Sequence, residues 1–268
     1  MHFGQATAPE WSRRRVLPFG EKRSGRLRVV SYPWPHLAGI SQKLVFFSDL
    51  HYWHGRPTRL PELVDTINAE EPDWILFGGD LCCHLTDLEP ALDGLSALRA
   101  KQGKLAVPGN RECAHSWLPD RFWQDTFARI GFTYLRNEAK DLGPFLVAGL
   151  DDPRHGSPRT DILPACREAG KPVLVLWHSP DGPAGSSSEY IGDLVLAGHT
   201  HGGQFRLPLI GAIYTSSIYG RQFDRGWFER TDGTLLYVST GCGETGTAWL
   251  RRRILCPPEI VVLHGVPA

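Results

Sequence analysis

Apolar residues in this chain come in short unbroken runs, and each run breaks off into glycine and polar residues. LVFFSD at 44–49, WILFGGD at 74–80, KLAVPGN at 104–110, VLVLWHS at 173–179 and LVLAGHT at 194–200 share this form. Runs without alternation predict strands buried on both faces, as in parallel sheets. Between them the spacing turns helical. Leu60, Leu63, Val64 and Ile67 fall on one face of a helix over 58–70, which Pro72 stops. Thr86 and Glu89 carry a capping-box signature, and Leu88, Leu92, Leu95 and Leu98 follow at helical spacing. Helices are also predicted over 119–130 and 160–169, and strands near 132–135 and 145–149.

After His201 the pattern changes. Short runs such as AIYTS, WFER and LLYVST predict antiparallel strands and turns, and EIVVLHG predicts a closing strand. Residues 1–25 read as a polar, irregular leader. Residues 26–268 read as a single α/β domain with mixed sheets, without an internal repeat or a linker.

Composition narrows the function classes. The chain has 268 residues, 41% of them apolar, enough for a sizeable core. Its formal net charge is zero, which argues against a nucleic-acid polymer as partner. The six cysteines lack CxxC spacing and read as free thiols of a reducing, cytoplasmic compartment. WSRRRVLPFG resembles a twin-arginine export signal, but GEKRSGRLRVV follows where an apolar stretch is required. The segment is therefore read as a solvated basic leader. No window reaches the ~18 apolar residues that span a bilayer, so a soluble protein is expected, at most resting on a membrane surface.

The chemistry lies where the apolar runs end. Asp49 and His51 follow the first, Asp80 the second, Asn110 the third, His178 the fourth, and His199 and His201 the fifth. Open α/β sheets bind ligands outside the carboxyl ends of their strands, so these residues are expected in one crevice. They form a nitrogen and oxygen donor set without sulfur, which suits hard or borderline divalent ions. Seven donors are too many for one ion with an open position. They suit two ions sharing a carboxylate, ~3.5–4 Å apart, as in phosphoryl displacement.

FSDLH, FGGD, PGNRE, WHS and AGHTHGG together resemble the five blocks of the calcineurin-like metallophosphoesterases, over about residues 27–265. The resemblance implies a four-layer α/β/β/α sandwich with two mixed sheets. It implies two divalent ions, manganese foremost, with iron, zinc and magnesium as alternatives. One ion takes Asp49, His51 and His201, the other Asn110, His178 and His199, and Asp80 bridges them. A bridging hydroxide then attacks phosphorus directly, with Asn110, His199 and Arg111 as the catalytic residues. GGQFRLP and PPEIVVL are similar to a small bacterial phosphodiesterase branch that includes UDP-2,3-diacylglucosamine pyrophosphohydrolases of lipid A synthesis. The partner implied is a phosphorylated small molecule or a nucleotide-linked lipid, with peripheral contact to an anionic inner membrane. A broad phosphodiesterase or phosphatase is the alternative. A metal-binding scaffold without activity is the third reading, disfavoured by the intact ligand set.

Arg111 departs from the family's commoner histidine. Arginine stays protonated and cannot act as a general acid. It can hold phosphate oxygens bidentately, which favours substrates with good leaving groups, such as phosphoanhydrides. Glu112 is expected to support the loop or Arg111; the bland alternative is a salt bridge from Arg111 to Glu112 or Asp80.

Several weaker features remain. Asp151 and Asp152 read as a turn or as partners of a ligand histidine. Trp117 and Phe122 read as an acyl-chain wall or a membrane contact. Arg251, Arg252 and Arg253 read as a solvated basic face or a lipid contact. RLPLIGAIYTSSIYG reads as an acyl groove or a hairpin packed on the core, and Cys82 and Cys83 as small buried residues.

Overall fold

The computed structural model describes residues 6–37, 39–54, 60–247 and 251–265. In chain order the strands are β1 (Trp11–Arg13), β2 (Gly20–Ser24), β3 (Leu27–Pro33), β4 (Lys43–Phe47), β5 (Trp74–Phe77), β6 (Gly103–Ala106), β7 (Phe132–Tyr134) and β8 (Glu138–Asp141). They continue as β9 (Leu146–Leu150), β10 (Val173–Trp177), β11 (Leu194–Ala197), β12 (Arg206–Leu207), β13 (Gly211–Ala212), β14 (Gly226–Arg230), β15 (Leu235–Val238) and β16 (Glu259–His264). The helices are α1 (Leu60–Ala69), α2 (Leu88–Leu95), α3 (Asn110–Ala114), α4 (Asp120–Ala128), α5 (Leu163–Glu168) and α6 (Asp181–Gly185).

Two sheets of seven strands form, in the orders β2-β3-β16-β4-β5-β6-β7 and β1-β14-β15-β11-β10-β9-β8. The first holds the parallel run β4–β7, the second the parallel run β9, β10, β11, β15. Antiparallel pairs at β2–β3, β4–β16, β8–β9, β14–β15 and β1–β14 make both sheets mixed.

The layering follows from which side of each strand meets which partner. Val45, Phe47, Ile75 and Phe77 pack on Leu63, Ile67, Leu92 and Phe127 of the helices. Their neighbours Leu44, Phe46 and Leu76 turn the other way and meet Leu174, Leu176 and Leu196 of the second sheet. Val175, Val195 and Val238 on that sheet's far face meet Leu163, Cys166 and Ala184 of α5 and α6. The result is the expected four-layer α/β/β/α sandwich. Strands with both faces covered need no polar side, which explains the unbroken apolar runs.

Some expectations are corrected. The leader is not irregular throughout: Trp11–Arg13 pairs with β14 and Gly20–Ser24 with β3, so parts of residues 1–25 are edge strands of the two sheets. The capping box is not formed. Asp87 precedes α2 without a side-chain cap, and Glu89 instead takes both ends of the Arg129 guanidinium, at 2.9 and 2.6 Å. The region after His201 is not wholly antiparallel, because β15 lies parallel to β11. Strand β8 and helix α3 carried no periodic signal. Residues 58–59 of the first predicted helix lie outside the described residues.

Candidate metal centre

The parallel strands β4, β5 and β6 of one sheet and β10 and β11 of the other end at the same edge of the sandwich. Asp49, His51, Asp80, Asn110, His178, His199 and His201 lie just beyond them, and all but Asn110 are buried. Two overlapping clusters form, Asp49–His51–His201 and Asp49–Asp80–His178, each with ligand atoms within 4.8 Å of one another. Asp80 Oδ2 stands 3.2 Å from His51 Nε2 and 3.6 Å from His178 Nε2, so this oxygen lies between the two halves. Asp49 Oδ1 stands 3.5 Å from His201 Nε2 and 4.0 Å from His178 Nε2. Asn110 Oδ1 completes the set, 3.2 Å from His178 Nε2 and 2.8 Å from His199 Nδ1. Every predicted ligand therefore converges on one centre.

The backbone is bent to achieve this. Asp49, His51, Asp80, His199 and His201 all have positive φ, between 43° and 68°. For residues other than glycine this region costs roughly 1–3 kcal/mol each and collects at functional sites. Tight approach fixes two neighbours as glycine. A Cβ at position 198 would come within 2.1 Å of Asp49 Oδ2, and one at position 109 within 2.3 Å of Asp80 Oδ1. Asp49 is held by Ser48 Oγ at 2.6 Å and by the His199 amide at 3.0 Å. Asp80 Oδ1 accepts the Arg111 amide at 2.8 Å, which leaves Oδ2 for the cluster.

The donor chemistry fits divalent metal. His178 Nδ1 donates to the Gly78 carbonyl at 2.7 Å, so its Nε2 lone pair faces Asp80, Asp49 and Asn110 oxygens. Lone pairs converging in a buried space are reconciled by a cation among them. The same field draws protons in the absence of an ion. Burial disfavours charge on His51, but the hydrogen bond and charge of Asp80 prevail and raise it to about 9. His178 is likewise raised by Asp80 and Asp49 against its burial. His201 moves well below its usual value, through burial and then the charges of His51 and Arg253.

The opening of α3 is the support. Glu112 is 2% exposed; its Oε2 accepts the Asp80 and Gly109 amides at 2.9 and 2.7 Å, and its Oε1 the Leu81 amide at 2.9 Å. One carboxylate thus ties the Asp80 loop to the Asn110 turn. Arg111 makes no ion pair with Glu112 or Asp80, and its Nε is buried without a hydrogen-bond partner. His115 Nδ1 donates to the Arg111 carbonyl at 2.8 Å and stacks edge-on to exposed Trp117.

Asp151 and Asp152 are buried but touch no ligand histidine by hydrogen bond. Asp152 Oδ1 caps the turn at Arg154 and His155, while Asp151 takes Cys113, Ser157 and Arg136. Phe122 packs on the core, and Cys82 is buried.

Sequence reasoning missed two residues of the surroundings. The basic run is not a solvated face. Arg251 is buried and donates to the His51 carbonyl at 2.9 Å, and Arg253 donates to the Thr240 carbonyl at 2.8 Å and to His201 Nδ1 at 3.4 Å. Only Arg252 of the three is exposed. Their signal was a like-charge run directly ahead of a closing strand, which pattern alone assigns to solvent.

Comparison with known proteins agrees with this geometry. Residues 42–203 match the family model for calcineurin-like phosphoesterases. The chain is 32% identical over 229 residues to an uncharacterized metallophosphoesterase of Bacillus subtilis, YkuE, covering 82% of this chain and 77% of that one. It is 30% identical over 231 residues to the phosphodiesterase YaeI of Escherichia coli, covering 84% and 82%. An uncharacterized metallophosphoesterase of Helicobacter pylori is 29% identical over 233 residues, and the match spans 84% of this chain and 60% of that relative. The chain belongs to the calcineurin-like phosphoesterase family and is a metal-dependent phosphoester hydrolase.

Proposed function

We propose that this calcineurin-like phosphoesterase holds two divalent ions and hydrolyses a phosphodiester or phosphoanhydride, with an anhydride in a nucleotide-linked lipid as its preferred substrate. Two ions held there would acidify a water and offset charge on the phosphoryl oxygens. Asp49, His51 and His201 hold one side, and Asn110, His178 and His199 the other, with Asp80 between them. Manganese suits this set, and iron, zinc or magnesium would also be accepted.

The observation that carries the substrate reading is Arg111. It follows Asn110 directly, its amide is anchored on Asp80, and its Nε lies buried without a partner. A buried donor without an acceptor is costly, and a phosphoryl oxygen supplies one. Arg111 then neutralises charge but delivers no proton. Leaving groups that depart unprotonated, such as a nucleotide phosphate, are favoured over alkoxides. The substrate class fits enzymes that cleave UDP-2,3-diacylglucosamine, and a cytoplasmic setting fits six free thiols.

A second reading, a phosphodiesterase of broad range, is favoured by the similarity to YaeI. Assay of the manganese-loaded protein against UDP-2,3-diacylglucosamine and an aryl phosphodiester separates them. A kcat/KM higher on the nucleotide lipid supports the anhydride reading. Turnover of the aryl ester alone refutes it and leaves the phosphodiesterase.

A further inference from the structure

Large apolar side chains left in water are unusual when they gather. Among the described residues eleven large hydrophobics are exposed, and eight belong to one surface: Leu207, Leu209, Ile210, Ile213, Tyr214, Ile218, Ile254 and Leu255. Two segments build it. One is the segment 205–218, which opens with the hairpin of β12 and β13, paired Arg206 to Ala212 and Leu207 to Gly211. The other is the stretch 254–255, joined to the hairpin's base by the Phe205–Ile254 bridge, with the Arg206 amide on the Ile254 carbonyl at 3.0 Å. At the tip Leu209 sits with φ 65° and is fully exposed. A hairpin packed on the core, as its pattern allowed, would bury these residues. Instead only Ala212, Thr215 and Ser217 of residues 205–218 turn inward.

Charge within the two segments is of one sign. Residues 205–223 contain Arg206 and Arg221 and no acid, and residues 245–258 contain Arg251, Arg252 and Arg253 and no acid. Arg221 and Arg252 are exposed, the former reaching the Ile210 carbonyl at 3.2 Å. Two flanking carboxylates are occupied, Asp224 by Arg13 and Arg206 and Asp181 by Ser217 and the Ile218 amide, and Glu244 stands just ahead of the second stretch. An apolar tip with exposed cations beside it matches the boundary between acyl chains and anionic headgroups, rather than an acidic or neutral protein face.

The surface is also tied to the metal centre. Ser216 Oγ donates to the His199 carbonyl at 2.8 Å, and β12 of the hairpin begins five residues after His201. A bilayer held by the hairpin would therefore lie next to the ligand loops. We propose that the 205–218 segment and the 254–255 stretch dock this enzyme on an anionic lipid bilayer, which presents lipid-borne phosphoesters to the centre. The lipid-borne substrate rests on the function proposed above; the docking does not.

The test is co-sedimentation of the metal-loaded protein with vesicles of phosphatidylcholine alone and with phosphatidylglycerol added, beside turnover of a water-soluble aryl phosphodiester. Wild type should bind the anionic vesicles and leave the neutral ones largely unbound. Arg221→Ala and Arg252→Ala should each weaken anionic binding about 5-fold, as expected for one cation near such a surface. Leu209→Ser/Ile210→Ser should weaken it at least ~10-fold, from the apolar area withdrawn. Soluble-ester turnover should stay at wild-type level in all of these, because none of the residues touches a ligand. Equal binding of wild type and the leucine–isoleucine variant overturns the proposal. So does absence of vesicle binding with a concentration-dependent dimer that the same variant dissolves, which assigns the surface to self-association. Vesicle binding that fails while the soluble ester is still cleaved removes the docking surface and leaves the hydrolase intact.

Discussion

Removing the Glu112 carboxylate should disable the metal centre although Glu112 is not a ligand. Three buried amides, of Asp80, Leu81 and Gly109, end on its two oxygens at 2.7–2.9 Å. Glu112→Ala leaves all three without an acceptor, and each buried orphan costs ~1–3 kcal/mol. An offset exists. Burial, and then the charge of Asp80, raise the Glu112 pKa, so the native carboxylate is itself disfavoured there. Water entering the vacated space recovers another part. A net loss of about 2–4 kcal/mol is expected, a large share of the usual 5–15 kcal/mol. Glu112→Gln keeps one acceptor oxygen and turns an amide group toward the other donors, for about 1–3 kcal/mol. Because these amides set Asp80 and the Asn110 turn, kcat/KM should fall by ~10²-fold in the alanine variant, as displacement of a catalytic group by about an ångström does. Urea unfolding gives the stability, elemental analysis the metal content, and an aryl phosphodiester the rate. Glu112→Ala with wild-type stability, metal and rate would refute the argument that this carboxylate builds the site.

Arg111→Ala should cost ~10²–10³ in anhydride cleavage, with metal content unchanged by elemental analysis; a wild-type rate would make Arg111 a structural residue. Arg111→His should raise the ratio of kcat/KM for alkyl over anhydride esters by restoring a proton donor. Chelation should lower the melting temperature, since a ligand at 100 times its dissociation constant adds about 2.7 kcal/mol; scanning calorimetry with and without chelator reads this, and equal melting temperatures would mean no tight site. Gly198→Ala should lose bound metal, because its Cβ would fall 2.1 Å from Asp49 Oδ2, and unaltered metal content would show that Asp49 can move aside.

The strand runs were legible because both faces of the central strands are covered, which leaves no polar alternation to confuse the pattern. The ligands were legible because aspartate, asparagine and histidine at successive strand ends have no packing reason to be there. What pattern could not show was how they converge. Left-handed backbone at Asp49, His51, Asp80, His199 and His201 comes from tertiary closure, not local propensity. Strands β1 and β2 escaped notice because edge strands with exposed Arg13 and Lys22 carry no apolar signal. Arg251 and Arg253 were misread because a charged run resembles a solvated face; here backbone carbonyls satisfy the guanidinium groups.

The central claim is a dinuclear centre in which Asp80 stands between the ions. Elemental analysis of metal-saturated wild type and Asp80→Ala, joined to anomalous scattering from a crystal of the loaded protein, tests it most directly. The account predicts two ions per chain in wild type, both contacting Asp80, and loss of both tight sites with activity in Asp80→Ala. A single ion at saturation, ligation through any cysteine, or an Asp80→Ala protein that keeps two ions and its rate would contradict it.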